Sequence, residues 1–486
     1  MTGLPPSFLK ALRRTLASDC LLTSAEEMVA YESDGLSAYR QIPAAVALPH
    51  NEEQITKILR LCHQCNLPVV ARGHGTGLSG GALPLKNALL LSLAKLNKII
   101  HIDPLSRTAK VQPGVRNLAI SQAASPFGLY YAPDPSSQIA CSIGGNVAEN
   151  SGGIHCLKYG LTVHNVLEVR VVTMDGELLT LGSQALDSPG YDLLALINGS
   201  EGMLGVITEI TVKLLAKPER AQVMLAAFDS VEKAGHAVGE IIAAGIIPAG
   251  LEMMDKLAIQ AAEDYAHAGY PRNAEAILLV EIDGANEEVS DGIRIVHDVV
   301  QACGATEIHT ATDEAERIRL WAGRKAAFPA MGRISPDYYC MDGTIPRSKL
   351  PEVLRRIAEF SSEYGLRVAN VFHAGDGNLH PLILYDANNA GELAKTEEMG
   401  GKILELCIAV GGTITGEHGI GVEKINQMCS QFATPELEIF HALKAAFDPL
   451  SLLNPGKAVP SLYRCAELGA MHVHHGQLPH ADLPRF

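Results

Sequence analysis

The sequence predicts an α+β fold in two parts, and two observations carry that prediction. Over residues 46–217, short β-branched or leucine-rich runs (AAVALP, PVVARG, ALLLSL, AKVQPG) alternate with glycine-rich turns, the pattern of many short strands. Beyond LLAKPERAQVMLAAF, where Pro218 and a small charge cluster mark a boundary, helix-like stretches (SVEKAGHAVGEIIAAG, SDGIRIVHDVVQACG) alternate with strand-like ones (AEAILLVEIDG, LRVANVFHAGDGNLHPLILYD). That second pattern predicts an α/β sandwich on an antiparallel sheet. Two parts and a tail suit a chain of 486 residues, which is too long for one compact core. The expected division is 1–218, 219–457 and a tail, 458–486.

Composition narrows the class. With 47% hydrophobic and 19% charged residues the chain reads as globular, and its formal charge of −15 repels nucleic acid and anionic lipid. The first twenty residues lack the apolar core of a signal peptide, and no apolar run has membrane-spanning length. The expectation is a soluble cytoplasmic chain, with docking on a membrane partner left open. Ten scattered cysteines are expected to be reduced and mostly buried.

Each element follows in order. In EEQITKILRLCHQC, Ile55, Ile58, Leu59 and Cys62 have helical spacing, so Cys62 and Cys65 read as core or surface thiols in preference to a metal pair. LPVVARG then reads as a strand entering GHGTGLSGG. Gly75, Gly77 and Gly80 satisfy G-x-G-x-x-G, but Pro84 and the strand-like NALLLSL follow where a dinucleotide-binding turn needs a helix. A P-loop is excluded because no Lys-Ser/Thr pair follows Gly80. Consecutive glycines still let backbone N–H groups converge as an anion nest, with hydroxyls from Thr76 and Ser79.

Two further glycine clusters belong to the same part. Pro133 and Pro135 stiffen the entry to SIGGNVAENSGG, Ser142 is placed to cap a helix starting near Ile143, and glycine pairs at 144–145 and 152–153 admit a planar ligand. In RVVTMDGELLTL, Asp175 and Gly176 predict a type I′ hairpin turn. NGSEGMLGVITEITV runs from a turn into a strand. Three clusters flanked by small polar donors suit a long ligand held by backbone groups, such as a dinucleotide.

The second part carries different chemistry. NVFHAGDGNLHPLIL predicts a hairpin whose mouth brings His373 and His380 together, and GGTITGEHGIGVEK presents Glu417 and His418 between glycines. Two imidazoles and a carboxylate suit Zn²⁺, Mn²⁺ or Fe²⁺ with positions left open for substrate. In RIRLWAGRKAAF, Arg324 lies three residues after Trp321 on a helix, either as a carboxylate anchor or as a surface arginine over an aromatic. The histidines at 472, 474, 475 and 480 fall in the tail and carry no assigned chemistry.

Taken together, ARGHGTGLSGG, GGNVAENSGG, GSEGMLGVITE, HAGDGNLHP, GEHGIG and DPLSLLNPGK resemble, in the same order over residues 30–460, the FAD-linked 2-hydroxy-acid dehydrogenases of the vanillyl-alcohol oxidase/p-cresol methylhydroxylase superfamily. YYAPDPSSQIACSIGGNVAEN and RISPDYYCMDGTIP are most similar to the FAD-linked subunits of bacterial glycolate oxidases. The resemblance implies a two-subdomain PCMH-type FAD-binding domain followed by a substrate domain. It implies that Arg72, Gly73, His74, Gly75, Thr76, Gly77, Leu78 and Ser79 surround the pyrophosphate. Pro133, Asp134, Gly145, Asn146, Gly152 and Gly153 would lie along the flavin, with backbone contacts from Val206 and Ile207. His373, His380 and Glu417 would ligate a divalent metal, Zn²⁺ first and Mn²⁺ or Fe²⁺ as alternatives; His418 would be the base and Arg324 would anchor the substrate carboxylate.

The implied reaction is metal-assisted hydride transfer from a small 2-hydroxy monocarboxylate, glycolate to glyoxylate, onto noncovalent FAD, since His74 does not align with the histidines that attach flavin in some members. D-lactate is the alternative substrate; a flavin-free metal hydrolase or non-haem iron oxygenase is a third reading that leaves the glycine clusters unexplained. Related D-2-hydroxyglutarate dehydrogenases carry a substrate lysine and an asparagine where Cys340 and Leu382 stand here, which argues against a second substrate carboxylate. No iron–sulfur motif is present in the sequence, so a separate electron acceptor or partner subunit is expected. The resemblance implies a second flavin-type subunit and an iron–sulfur subunit leading to the quinone pool, with the chain in the cytoplasm or peripherally at the inner membrane.

Overall fold

The computed structural model describes residues 4–185, 190–461 and 465. The tail histidines at 472, 474, 475 and 480 lie outside them. Three sheets position the site. The first contains β1 (Leu21–Leu22), β2 (Ala45–Ala47), β3 (Val69–Arg72) and β4 (Leu89–Ser92) in the order β1-β2-β4-β3, with β2 and β3 both parallel to β4. Helix α1 (Glu52–Gln64) packs its stripe of Ile55, Ile58, Leu59 and Cys62 into that core. β3 therefore delivers the chain straight into the first glycine loop, which continues through turns to β4 without a helix.

The second sheet contains β5 (Ile99–Asp103), β6 (Thr108–Val111), β7 (Val166–Val172), β8 (Leu178–Gly182) and β9 (Val206–Lys213), ordered β5-β6-β9-β7-β8. Ser142 accepts the Gly145 N–H at 3.3 Å and caps α2 (Ile143–Glu149), as its sequence context predicts. The β7–β8 hairpin forms, but its turn is not type I′. Gly176 has φ +81° whereas Asp175 is not left-handed; Thr173 accepts from Gly176 and donates to Glu177, both at 2.9 Å, closing a longer turn.

The third sheet is antiparallel throughout, with β10 (Arg220–Phe228), β11 (Gly250–Asp255), β12 (Ala276–Gly284), β13 (Glu307–Thr310), β14 (Asp337–Cys340), β15 (Arg367–His373) and β16 (Asn378–Tyr385). Its order is β13-β10-β12-β11-β15-β16-β14. Period-two alternation feeds two cores. Met224, Ala226 and Phe228 face α3 (Val231–Ala243), α5 (Asn286–Ala302), α7 (Leu350–Tyr364) and α8 (Glu392–Ala409); Val223, Leu225 and Ala227 face α4 (Lys256–Ala266) and α6 (Glu314–Met331).

The cysteines correct one expectation. Cys429 and Cys465 form a disulfide, because the chain beyond the last helix turns back to bring their Cα atoms within 5.1 Å. The other eight are free: Cys62 is buried in α1 and Cys65 is exposed beyond it, so that pair shares no site. Among the described residues no helix is long and apolar enough to cross a membrane.

Candidate active site

A cavity of about 480 Å³ opens between the glycine loops and the third sheet. Arg72, Gly73, His74, Gly75, Thr76, Gly77, Leu78, Gly145, Asn146, Val206 and Ile207 line one wall; Lys325, Phe328, Pro329, His380, Glu417 and His418 line the other. Five of the residues expected around the cofactor, Ser79 at the pyrophosphate and Pro133, Asp134, Gly152 and Gly153 along the flavin, do not line it. The Ser79 carbonyl accepts the N–H groups of Val422 and Glu423 and braces the loop from below. Pro133 accepts from Asn117 Nδ2 at 3.0 Å, and Asp134 accepts from His155 Nδ1 at 2.9 Å. Gly152 and Gly153 border a second cavity of about 210 Å³ that also touches Glu417, whose Oε2 takes the Gly152 N–H at 3.0 Å.

The cradle fits a large cofactor. A Cβ on Gly73 would stand 2.2 Å from Ser142 Oγ, and one on Gly75, at φ +70°, 2.1 Å from the Arg72 guanidinium, so these glycines let the loop lie flat on its support. Gly77 and Gly202 differ: the nearest atom to their missing Cβ is 3.9 and 3.7 Å away, which leaves bare backbone facing the cavity. Lys457, from the NPGK motif, donates to the Gly81 carbonyl at 2.8 Å and fixes the far end of the loop.

On the opposite wall, the hairpin β15–β16 pairs Val371 with His380 and brings the His373 and His380 rings to 5.0 Å. Their Nε2 atoms converge on Glu417 Oε1 at 3.1 and 2.9 Å. The outer nitrogens are held as well, His373 Nδ1 by Glu252 at 2.8 Å and His380 Nδ1 by the Met341 carbonyl at 3.2 Å. Two oriented imidazoles and a carboxylate with ligand atoms within 4.8 Å of one another fit a divalent cation. Burial opposes a charge on His373, but Glu252 and Glu417 prevail and raise it well above its ordinary value, so a cation entering here displaces a shared proton.

Asp342 organises the loop that carries Glu417 and His418. Fully buried, it accepts from the backbone N–H of Gly416, Glu417 and His418 at 3.1, 3.2 and 2.9 Å, from Thr415 Oγ1 at 2.6 Å and from Lys424 Nζ at 3.2 Å. His418 is held down to about 4, first by burial and then by its neighbours His380 and Lys424, against the pull of Asp342. Its Nδ1 is buried without a partner, leaving Nε2 as the nitrogen on the cavity side.

Arg324 stands behind the wall. Its side chain is 1% exposed, its Nη2 lies 2.6 Å from Glu252 Oε2, and its Nη1 has no hydrogen-bond partner. Cys340 and Leu382 face each other across β14 and β16 in the apolar core and do not reach the cavity. Sequence reasoning missed Glu252, Asp342 and the cavity-facing Phe328; only Phe328, four residues after Arg324 on the same helix, had a local signal.

Comparison with known proteins adds two family matches: residues 43–182 match the FAD binding domain, and residues 217–458 match the C-terminal domain of FAD linked oxidases. The chain is 67% identical over 480 residues to the glycolate oxidase subunit GlcD of Escherichia coli K12, covering 99% of this chain and 96% of that one. It is 34% identical to a D-lactate dehydrogenase of Archaeoglobus fulgidus, over 86% of this chain and 91% of that one. A crystal structure of p-cresol methylhydroxylase shares the fold at a TM-score of 0.80 with 17% identity, covering 94% of this chain and 98% of that one.

Proposed function

The chain belongs to the FAD-linked oxidases, and from that premise we propose that it oxidises glycolate to glyoxylate and passes the electrons to partner subunits. The observation that carries this reading is the meeting of His418, His380 and Glu417 on one wall of a cavity whose other wall exposes glycine backbone, with His373 converging on Glu417 from behind. When bound, FAD supplies the hydride acceptor, and a divalent ion held by His373, His380 and Glu417 supplies Lewis-acid polarisation of the substrate oxygens. Zinc suits the donor set first, with manganese or iron as alternatives.

His418, kept neutral by burial, takes the hydroxyl proton on Nε2, a contribution of roughly 10²–10⁴-fold for a well-placed general base. Asp342 fixes the loop beneath it, so the base does not wander from the reacting oxygen. Arg324, paired with Glu252 behind the wall and with Nη1 unpartnered, adds positive charge to the side of the cavity proposed for the substrate carboxylate. Phe328 and Pro329 close the wall with apolar surface, which suits a small monocarboxylate and keeps water from the site. The likeness to a relative named as a glycolate oxidase subunit supports partner subunits as the electron path, for which a second flavin-type subunit and an iron–sulfur subunit are proposed.

D-lactate is a second reading, favoured by the Archaeoglobus relative. One methyl group is worth only about 1–3 kcal/mol in a pocket. The test is anaerobic: glycolate, D-lactate, L-lactate and D-2-hydroxyglutarate are added separately to the purified protein, before and after chelation, while the flavin spectrum is followed. Chelator-sensitive bleaching, fastest with glycolate, is expected. Fast bleaching that chelation leaves unchanged defeats the metal role, and faster bleaching by D-lactate reverses the substrate order.

A further inference from the structure

A second ligand set overlaps the first and adds Cys340, a residue that the reaction does not use. Cys340 at the end of β14, His380 in β16 and His418 offer one sulfur and two ring nitrogens within 4.8 Å of one another. The His380 and His418 rings stack at 4.9 Å with 10° between their planes. Cys340 is buried, and its thiol meets only the carbonyl of its own neighbour Met341, at 3.4 Å. His418 Nδ1 is buried with no hydrogen-bond partner among the described residues. A polar atom left unsatisfied in a packed interior is costly and calls for a reason.

The two ligand sets share His380 and differ in character. His373, His380 and Glu417 make a nitrogen and oxygen site, whereas Cys340, His380 and His418 make a nitrogen and sulfur site, the donor type that selects soft or borderline ions. We propose that Cys340, His380 and His418 form an inhibitory binding site for thiophilic metal ions such as Cd²⁺, Cu⁺ or excess Zn²⁺, reached through the active-site cavity. The route exists because His380 and His418 line that cavity with Cys340 behind them. Binding forms a sulfur–metal bond and releases the thiol proton to solvent, with no change of oxidation state.

Inhibition follows from the imidazole itself. A neutral ring has one free lone pair; once a metal takes it, the proton stays on the other nitrogen and the ring accepts nothing from substrate. This consequence rests on the reading of His418 as the base, whereas occupancy of the site does not. Sharing of His380 adds competition, since a neutral ring holding an ion on one nitrogen keeps its proton on the other and cannot ligate a second ion.

The experiment uses the FAD-containing protein titrated anaerobically with Cd²⁺, comparing wild type with Cys340→Ser and Cys340→Ala. Bound cadmium, cadmium–thiolate absorbance and the rate of flavin reduction by glycolate are read together. In wild type, one cadmium–thiolate centre more than in either variant is expected, and flavin reduction stops as it fills and returns on chelation and reloading with Zn²⁺. The variants keep the basal rate and need about tenfold more Cd²⁺ for the same inhibition, equivalent to about 1.4 kcal/mol. Equal cadmium–thiolate absorbance and equal inhibition in all three proteins overturn the site. A Cys340-dependent centre that leaves flavin reduction untouched overturns the inhibitory role.

Discussion

Glu252 accepts from His373 Nδ1 at 2.8 Å with one carboxylate oxygen, while the other pairs with Arg324 at 2.6 Å. Both Glu252 and Arg324 are 1% exposed, so a single buried carboxylate links the proposed metal-ligand histidine to the proposed substrate anchor. Burial would raise the Glu252 carboxyl, but the charges of His373 and Arg324 outweigh it and hold it below its usual value. Glu252→Gln removes that charge and leaves Arg324 buried and unpaired, a loss of about 3–5 kcal/mol for a broken buried pair. Metal affinity is expected to fall roughly 10–100-fold, as for other partners that orient a ligand histidine. Thermal unfolding and metal content after dialysis measure the two effects. Glu252→Gln with Arg324→Met should recover stability without recovering metal, and a double variant that regains both removes Glu252 from the site.

His418→Gln keeps the loop, because Asp342 holds the backbone N–H of residue 418 and not its ring. Flavin and metal content are therefore expected to match wild type while kcat with glycolate drops roughly 10²–10⁴-fold. Rapid-mixing measurement of flavin reduction isolates this step. A rate within a few-fold of wild type means that another group takes the proton.

Legibility in the sequence followed distance along the chain. The His373–His380 hairpin was readable because strand periodicity and GDGN specify it within eight residues, and the Ser142 cap because it acts three residues away. Asp342 was not, because MDG at a strand end reads as an ordinary turn while its side chain serves His418, 76 residues later. Glu252 sits in an apolar strand, 121 residues from His373, and only the order of the third sheet, with β11 beside β15, brings them together. Arg324 was placed correctly on a helix, but its withdrawal behind the wall depends on Glu252 and could not be seen without it. The type I′ turn failed for a local reason: glycine alone supplies the left-handed residue, and Thr173 closes the turn one residue earlier.

Gly75→Ala tests the glycine loop apart from the chemistry. The position has φ +70°, and the added methyl carbon would lie 2.1 Å from Arg72, whose guanidinium donates to the Ser33 carbonyl at 2.7 Å. A left-handed alanine costs about 1–2 kcal/mol, and Arg72 must also move. FAD is expected to be lost on gel filtration, with the metal set intact because it rests on other elements. Absorbance ratios of flavin to protein measure it; full FAD retention means the loop does not hold the cofactor.

His155 ties the glycine-rich part to the third sheet, with Nδ1 at 2.9 Å from Asp134 and Nε2 at 3.3 Å from Glu281. Burial alone would lower its pKa, but the two carboxylates prevail and raise it to about 10. Glu281 is held down to about 2 against burial by His155, Arg317 and Trp321. The signs then fix the window. A raised histidine contributes fully below its ordinary 6.5 and loses that contribution as pH climbs through about 10; a depressed glutamate contributes above its ordinary 4.5 and fails as pH falls through about 2. His155→Gln should therefore lower the unfolding temperature most between pH 4.5 and 6.5, with the gap to wild type narrowing steadily toward pH 10. Melting curves of the FAD-containing proteins across that range measure it. A gap that stays constant with pH means His155 contributes packing alone and carries no charge across the seam.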